Sequence, residues 1–395
     1  MKTFSTAVIG GGAAGIVAAI TAASAGERVV ICDKMPQLGK KILASGNGRC
    51  NLLNKDLSEE HYNPAARSLV RSVFERAGLS VMTDFFKKLG LELCEREGRI
   101  FPRTNQASSV MRVLEIEIAR LGIPLELGFD AVAIEAQAGG LRITSKSGAA
   151  IACRVAIIAC GGRTYPAYGS DGSFYRVLER RGHTIVDPVP SAVPLVVKDQ
   201  LCHFLQGQRM PARVRSLIDG KVASESDGEL LFAQYGLSGT CILDVSEEIS
   251  IAINRDHKKD VAVSIDLAPF MSLPELTDEI ARRMRGGSAG EDMLVGILPN
   301  KCSRALAAFG KGKAARDVAA AIKEKKFTVL GTRGWNEAEF TSGGVSLKEV
   351  DEHSLGSKVQ KGLYFAGEVL DVDGKRGGYN LAWAWASGMI AGRAR

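Results

Sequence analysis

The sequence predicts an α/β protein. A Rossmann-type dinucleotide-binding domain occupies two chain segments, residues 1–189 and 327–395, interrupted by an inserted β-barrel-like plus helical domain. Three observations predict it. A strand–turn–helix–strand unit with the spacing Gly10-x-Gly12-x-x-Gly15 opens the chain. Two further apolar runs, one ending in Cys160-Gly161-Gly162 and one in Ala366-Gly367-Glu368, read as ligand-facing strand ends. Between them, from Pro188, Pro190 and Pro194 onward, the texture changes to short β-type runs and then to helical ones.

The opening unit carries its own physical logic. Residues 6–9 form a short apolar strand and an Ala-rich helix runs to Ala25. Gly10 permits the tight turn, Gly12 lets the backbone approach a pyrophosphate, and Gly15 lets the helix pack on the strand. Free N–H groups and the positive end of the helix dipole then face the phosphates. A second strand over 28–32 ends at Asp33, 18 residues past Gly15, close to the spacing of the carboxylate that binds a ribose hydroxyl. Lys2 before an apolar run and Ala23-Ser24-Ala25 also resemble a signal peptide. Three consecutive glycines, the following strand and its terminal Asp favour the nucleotide site.

Residues 39–51 form a glycine-rich basic loop. With Lys40, Lys41 and Arg49 it is suited to wrap a pyrophosphate and contact a ring system. Helical patterns over 64–90 end at Gly78 and Gly90, a hairpin follows over 92–102, and an amphipathic helix covers 108–121. Short strands over 124–127 and 131–135 come next, the second carrying Val132 to the centre of the fold, then a meander over 141–153. The apolar strand 155–162 is no second fingerprint, because Tyr165-Pro166 follows instead of a helix. A helix is expected to begin near Ser173.

Within the insert, strands are expected over 193–197, 213–218, 229–232, 242–245 and 261–267, giving a β domain over 190–272. Helices over 274–285, 291–297, 303–309 and 313–325 give a helical domain over 273–326. The first domain resumes at Phe327. After Glu368, the turn Gly378-Tyr379-Asn380 starts a helix beginning at Leu381, whose N–H groups face back toward the site. They are suited to stabilise negative charge on a reduced ring, as an oxyanion hole does.

Composition narrows the classes. At 395 residues there is room for two or three domains. No apolar run is long enough for a transmembrane helix, and the expected location is the cytoplasm. The eight cysteines never form C-x-x-C and the five histidines lack ligand spacing, so buried reduced thiols and no metal site are expected. The net charge of +7 fits an anionic substrate or simply a solvated surface.

The finer motifs carry a resemblance. Ser45-Gly-Asn-Gly-Arg-Cys-Asn51, Gly161-Gly-Arg-Thr-Tyr-Pro166, Gly236-Leu-Ser-Gly239, Thr341-Ser-Gly-Gly-Val-Ser346 and Phe365-Ala-Gly-Glu-Val-Leu-Asp-Val-Asp-Gly374 with Gly-Gly-Tyr-Asn-Leu-Ala-Trp-Ala-Trp385 resemble the YhiN/BaiN-like flavoproteins. That group is also called the aminoacetone oxidase family of FAD-binding proteins, and it falls within the glutathione-reductase and fumarate-reductase type of FAD fold. The resemblance implies non-covalent FAD. Its expected contacts are Gly10, Gly12, Ala13, Ala14, Gly15, Asp33, Lys34, Lys40, Lys41, Ser45, Gly46, Gly48, Arg49, Asn51 and Val132. Cys160, Gly161, Gly162, Gly367, Glu368, Gly378, Tyr379, Asn380 and Leu381 complete the set.

The expected activity is FAD-dependent oxidation–reduction. The first reading is NAD(P)H-linked reduction of a small or steroid-like enone, with hydride passing through flavin N5 and NAD(P)H docking transiently. The alternatives are an amine oxidase releasing H₂O₂ and an RNA-interacting or non-catalytic flavoprotein, although no stable nucleic acid partner is expected. Arg49, Tyr165 and Tyr379 are the candidate catalytic residues. Three departures from the family pattern stand out. Cys160 stands in place of Thr, Ala233-Gln234 and Thr240 in place of Thr-His and Pro, and Lys375-Arg376 in place of small residues. The Lys375-Arg376 pair is either near the flavin, favouring an anionic substrate, or solvated.

Overall fold

A computed structural model describes residues 1–310 and 312–394, the side chains of 307–310 excepted. The chain forms two compact units, Met1–Pro188 with Phe340–Arg395, and Val189–Glu339.

The first unit is built on a seven-stranded sheet. Its parallel part runs Leu125–Leu127, Val29–Asp33, Lys2–Ile9, Ala150–Ile158. Thr6 lies beside Val29 on one side and Val155 on the other. The strand Ala150–Ile158 is the hub. Its first half pairs antiparallel with Gly140–Ser145, and its last three residues pair parallel with Leu363–Phe365. Central strands buried on both faces read as continuous apolar runs, as Ala7, Val8, Val30, Ile31, Ala156 and Ile157 do, all fully buried.

The helix Ala13–Ser24 follows the first strand, and the C-terminal helix Tyr379–Ala391 packs along it. Small residues set that distance. A Cβ on Gly388 would meet the Ala14 carbonyl oxygen at 2.4 Å, and one on Gly392 the Ala18 oxygen at 2.6 Å. Trp383 and Trp385 are fully buried, and their indole N–H groups donate to the carbonyls of Gly367 and Leu52, both at 3.1 Å. Each aromatic side chain buries on the order of 150–250 Å² without leaving its donor unpaired.

The second unit is a seven-stranded antiparallel sheet. Its long hairpin pairs Arg209–Ile218 with Lys221–Ala233, and Val261–Asp266 lies on the other side of Arg209–Ile218. The two ends of the strand order, Lys325–Thr328 and Gly331–Thr332, are joined by Val329 and Leu330 alone. A link of that length spans only about 10 Å, so the sheet curls back on itself. Val329 N–H donates to Val261 and Leu330 N–H to Val196, each at 2.9 Å, which carries the pairing from one edge to the other. The barrel-like expectation rests on this closure.

Several expectations change. Residues 242–245 are not a strand but part of the helix Thr240–Ser250, because Cys241, Ile242, Val245 and Ile249 recur at helical spacing on its buried face. The helix expected over 291–297 is only a single turn, Gly290–Met293. Phe327 does not begin the return to the first unit: it pairs with Val263 inside the insert's sheet, and the return comes at Phe340. The helical and β parts of the insert are one body. Leu276, Ile280, Val318 and Ile322 share a core with Val214, Leu230 and Val263. Val132 is not central: it lies on the edge strand Ala131–Gln137 at a break in register and is 37% exposed.

Candidate functional site

The carboxyl ends of Lys2–Ile9, Val29–Asp33, Ala150–Ile158 and Leu363–Phe365 come out on one side of the parallel sheet. In open α/β sheets the crevice beyond those ends receives the ligand. Gly10, Asp33, Gly161 and Gly367 follow or end these strands.

The fingerprint has the expected geometry. Gly10 has φ +110°, and a Cβ there would meet the Ala159 oxygen at 2.3 Å. A Cβ on Gly15 would meet the Gly10 oxygen at 1.9 Å. Gly12, by contrast, faces open space, and the helix it caps has no side-chain cap. The N–H groups at that end are therefore available to an anion. Asp33 accepts from the N–H of Gly11 at 2.5 Å and of Met35 at 2.7 Å. Burial pushes its carboxyl up, and the N–H groups of Met35 and Gly11 only partly offset that.

A second carboxylate, Glu368, is treated differently. Lys41 Nζ lies 2.6 Å from its Oε2, while the Thr341 N–H donates to Oε1 at 2.9 Å and the Thr164 hydroxyl at 3.2 Å. Lys41 also donates to Thr164 Oγ1 at 2.9 Å. Burial raises the Glu368 carboxyl, but the Lys41 charge and these hydrogen bonds together hold it below the usual value. One cluster thus fastens the basic loop, the loop after the hub strand, the strand Phe340–Val345 and the Gly367–Val369 turn. Gly162 and Gly367 serve the same packing. A Cβ on Gly162 would meet Thr341 Oγ1 at 2.3 Å, and one on Gly367 the Ala14 Cβ at 2.8 Å.

The loop after Gly162 folds toward the Asp33 end. A Cβ on Gly169 would meet Met35, and Lys34 pairs with Asp171 at 2.7 Å. Tyr165 is held at φ +55° and stacks on Tyr168, with centroids 5.6 Å apart. Tyr379 sits elsewhere, at the start of the C-terminal helix, so the two candidate tyrosines do not meet. Arg49 is exposed, just after the turn Ser45–Gly48, in which Asn47 is left-handed at φ +54°. Strained non-glycine residues of this kind concentrate at functional loops. Lys40 and Cys160 are half-buried, and burial pushes the Cys160 thiol up to about 12, which leaves it protonated.

At the far end, Gly378 lies against the Leu53 carbonyl. The Asn380 side chain closes the preceding turn by accepting from Gly374 N–H at 2.9 Å and donating to its carbonyl at 2.7 Å. Leu381 follows within the helix.

Among the described residues, the buried polar atoms without a hydrogen-bond partner include two beside these glycines: Asn51 Oδ1, 3.0 Å from a Cβ built on Gly378, and Ser170 Oγ, 3.0 Å from one on Gly161. Buried polar groups are normally satisfied. Together with the open face of Gly12 and the Asp33 carboxylate at the strand end, they fit a ligand rich in hydroxyl and N–H groups, as FAD is. Ser170 and Thr164 were missed in the sequence, as were His61 and Tyr62, whose rings pack on Tyr379, and Asp56, bonded to His61. Ser170 follows Gly169 in a loop already marked by tyrosines and glycines; residues 54–63 carry no periodicity or motif.

Among the described residues no group of His, Cys, Asp or Glu is arranged to hold a metal, and no helix is long and apolar enough to cross a membrane.

The model of the HI0933-like protein Rossmann domain matches residues 4–394. The chain is 36% identical to a 3-dehydro-bile acid delta(4,6)-reductase of Clostridium scindens, covering 98% of each. It is 29% identical to a ribosomal RNA dihydrouridine synthase of Escherichia coli, over 98% of this chain and 96% of the relative. Among solved structures, a 3-ketosteroid delta1-dehydrogenase of Sterolibacterium denitrificans superposes with a TM-score of 0.53 at 13% identity, covering 99% of each chain.

Proposed function

Since the chain belongs to the HI0933-like family and is an FAD-dependent oxidoreductase, we infer that it reduces a carbon–carbon double bond conjugated to a carbonyl group, with NAD(P)H as electron donor. The observation that carries this is the full-length relative at 36% identity, whose name describes reduction of a steroid bearing a 3-keto group and conjugated double bonds. A steroid-like enone or dienone is therefore the proposed substrate.

Bound FAD would supply a hydride at N5. Gly12 and the first N–H groups of Ala13–Ser24 would hold its pyrophosphate, and Asp33 a ribose hydroxyl. Asn51 and Ser170 would each satisfy a polar atom that is otherwise orphaned. Lys41 holds Glu368 ionised and in place. The N-terminus of Tyr379–Ala391 offers partial positive charge to an anion formed beside it.

A second reading, uridine in RNA as the acceptor, is favoured by the dihydrouridine synthase relative and the net charge of +7. The two readings share one electronic demand. The 5,6 double bond of uracil is itself conjugated to a carbonyl, so one site chemistry serves both and only recognition differs.

The test is anaerobic. Bleaching of the flavin by NADH or NADPH, followed by recolouring with a 3-keto-4-ene or 4,6-diene steroid and a product carrying two added hydrogens, is expected. Recolouring by a uridine-containing RNA and not by the steroid would select the second reading. No bleaching by either nucleotide, with peroxide formed from an amine and O₂, would overturn both in favour of an oxidase.

A further inference from the structure

Tyr379 is enclosed in a way that helix packing alone does not require. It is the first residue of the C-terminal helix and is 7% exposed. The His61 ring lies over its ring at 4.6 Å, tilted by 34°. Tyr62 meets it edge-on at 6.1 Å and donates from its hydroxyl to the Tyr379 carbonyl at 2.8 Å. His61 is itself held, with Nε2 2.7 Å from Asp56 Oδ2. Asp56 Oδ1 also accepts from the Ser58 N–H at 3.2 Å, although the Asp56 side chain is 68% exposed.

The segment bearing this pair is sewn to the loop before the helix. Asn54 Nδ2 donates to the Gly377 carbonyl at 3.0 Å, and the Lys375 N–H donates to the His61 carbonyl at 2.9 Å. A packing role would be met by any apolar ring. An imidazole tied to a carboxylate adds orientation, since one ring nitrogen is committed and the plane is set. The His61 and Tyr62 rings pack on the Tyr379 ring, and the charges of Asp56 and, from the strand Arg99–Pro102, Arg99 act on its phenol. Burial, then the Asp56 charge, raises the Tyr379 phenol, with Arg99 opposing, so it remains a proton donor at neutral pH.

We propose that Asp56 and His61 are positioning residues for Tyr379, and that the Tyr379 phenol delivers the proton that completes reduction of the conjugated carbonyl substrate. This rests on the reductase reading above. The balance is closed: bound reduced FAD would supply the hydride for the carbon remote from the carbonyl. The Tyr379 O–H bond breaks as its proton goes to the carbon nearer the carbonyl, and the phenolate regains a proton from water.

Two variants test it. Tyr379→Phe keeps the ring and is expected to leave flavin reduction by the nicotinamide nucleotide at the wild-type rate. It should slow reoxidation by the enone by about 10²–10⁴-fold and remove the loss of rate at alkaline pH. Asp56→Asn is expected to move that alkaline limb to lower pH, because a negative charge that opposes phenolate formation is gone. A readout independent of turnover comes from the protein without FAD. In an ultraviolet phenolate titration, one tyrosine should ionise at lower pH in Asp56→Asn and be missing in Tyr379→Phe. Wild-type reoxidation and an unchanged pH profile in Tyr379→Phe, or an unmoved phenol in Asp56→Asn, overturns the proposal alone. Wild-type protein that no nicotinamide nucleotide bleaches or no conjugated carbonyl recolours overturns the reductase reading, and this proposal with it.

Discussion

Asp33 and Glu368 are both carboxylates at strand ends of one parallel sheet, yet they are held by opposite means. Asp33 receives main-chain N–H groups from Gly11 and Met35, and burial pushes its carboxyl up. Glu368 receives a lysine, and burial is outweighed by that cation and the hydrogen bonds from Lys41 and Thr341 together. The difference separates a carboxylate proposed for ligand binding from one used in construction. A part-buried carboxylate that receives only the more distant charges of Lys34 and Lys40 is one that a hydroxyl donor from a ligand can still improve. A carboxylate already facing an ammonium, a main-chain N–H and a threonine has become a joint between distant segments.

The largest expected effect comes from breaking that joint. Lys41→Met leaves Glu368 half-buried without its cation, and should lower the stability of the FAD-free protein by about 2–3 kcal/mol, read as a drop in the urea midpoint. Adding Glu368→Gln should return part of the loss, because the unpaired charge is then gone. The sign with pH follows from the lowered carboxyl. Stability contributed by Glu368 is present above the ordinary carboxylate range and is lost as pH falls through the depressed folded value. Glu368→Gln should therefore flatten the acid side of the stability curve. If Lys41→Met is as stable as wild type, Glu368 is no joint and the contrast with Asp33 collapses.

Asp33→Asn should act on the ligand instead. The amide retains only one acceptor oxygen, so FAD affinity is expected to fall about tenfold, or about 1.4 kcal/mol, in a fluorescence titration. The FAD-free midpoint should move less than in Lys41→Met. A larger loss of stability than of affinity would make Asp33 structural as well.

The same contrast explains what was legible in the sequence. The Asp33 end is a backbone device, and backbone devices need particular glycines at fixed spacing, so the turn built by Gly10, Gly12 and Gly15 was legible in the sequence. The Glu368 joint draws Lys41, Thr164 and Thr341 from places far apart in the chain. No local spacing records such a meeting, and Lys41 read as a phosphate ligand although its amine is committed to Glu368 and Thr164. Residues 242–245 misled for a related reason. A short apolar run has no period of its own, and Cys241 and Ile249, which complete the helical face, fell outside it. The insert's boundary was lost at Phe327 because a strand that closes a sheet looks, in sequence, like a strand that resumes one.

The smallest effect belongs to a third kind of carboxylate. Asp227 lies across the insert's hairpin from Arg213, with Arg213 Nε 2.7 Å from Oδ1 and Nη2 2.9 Å from Oδ2. The hydrogen bonds from Arg213 hold its carboxyl below the usual value. In distance this pair is close to that of Lys41 and Glu368. It differs in exposure, since the Asp227 side chain is 61% exposed and the Glu368 side chain 22%. Water and salt screen an exposed pair, and ordering two long side chains offsets what attraction remains. Arg213→Ala is therefore expected to leave the urea midpoint and the FAD affinity unchanged within error at physiological salt. A midpoint shift as large as that of Lys41→Met would mean that hydrogen-bond geometry, and not burial, decides which of these carboxylates holds the protein together.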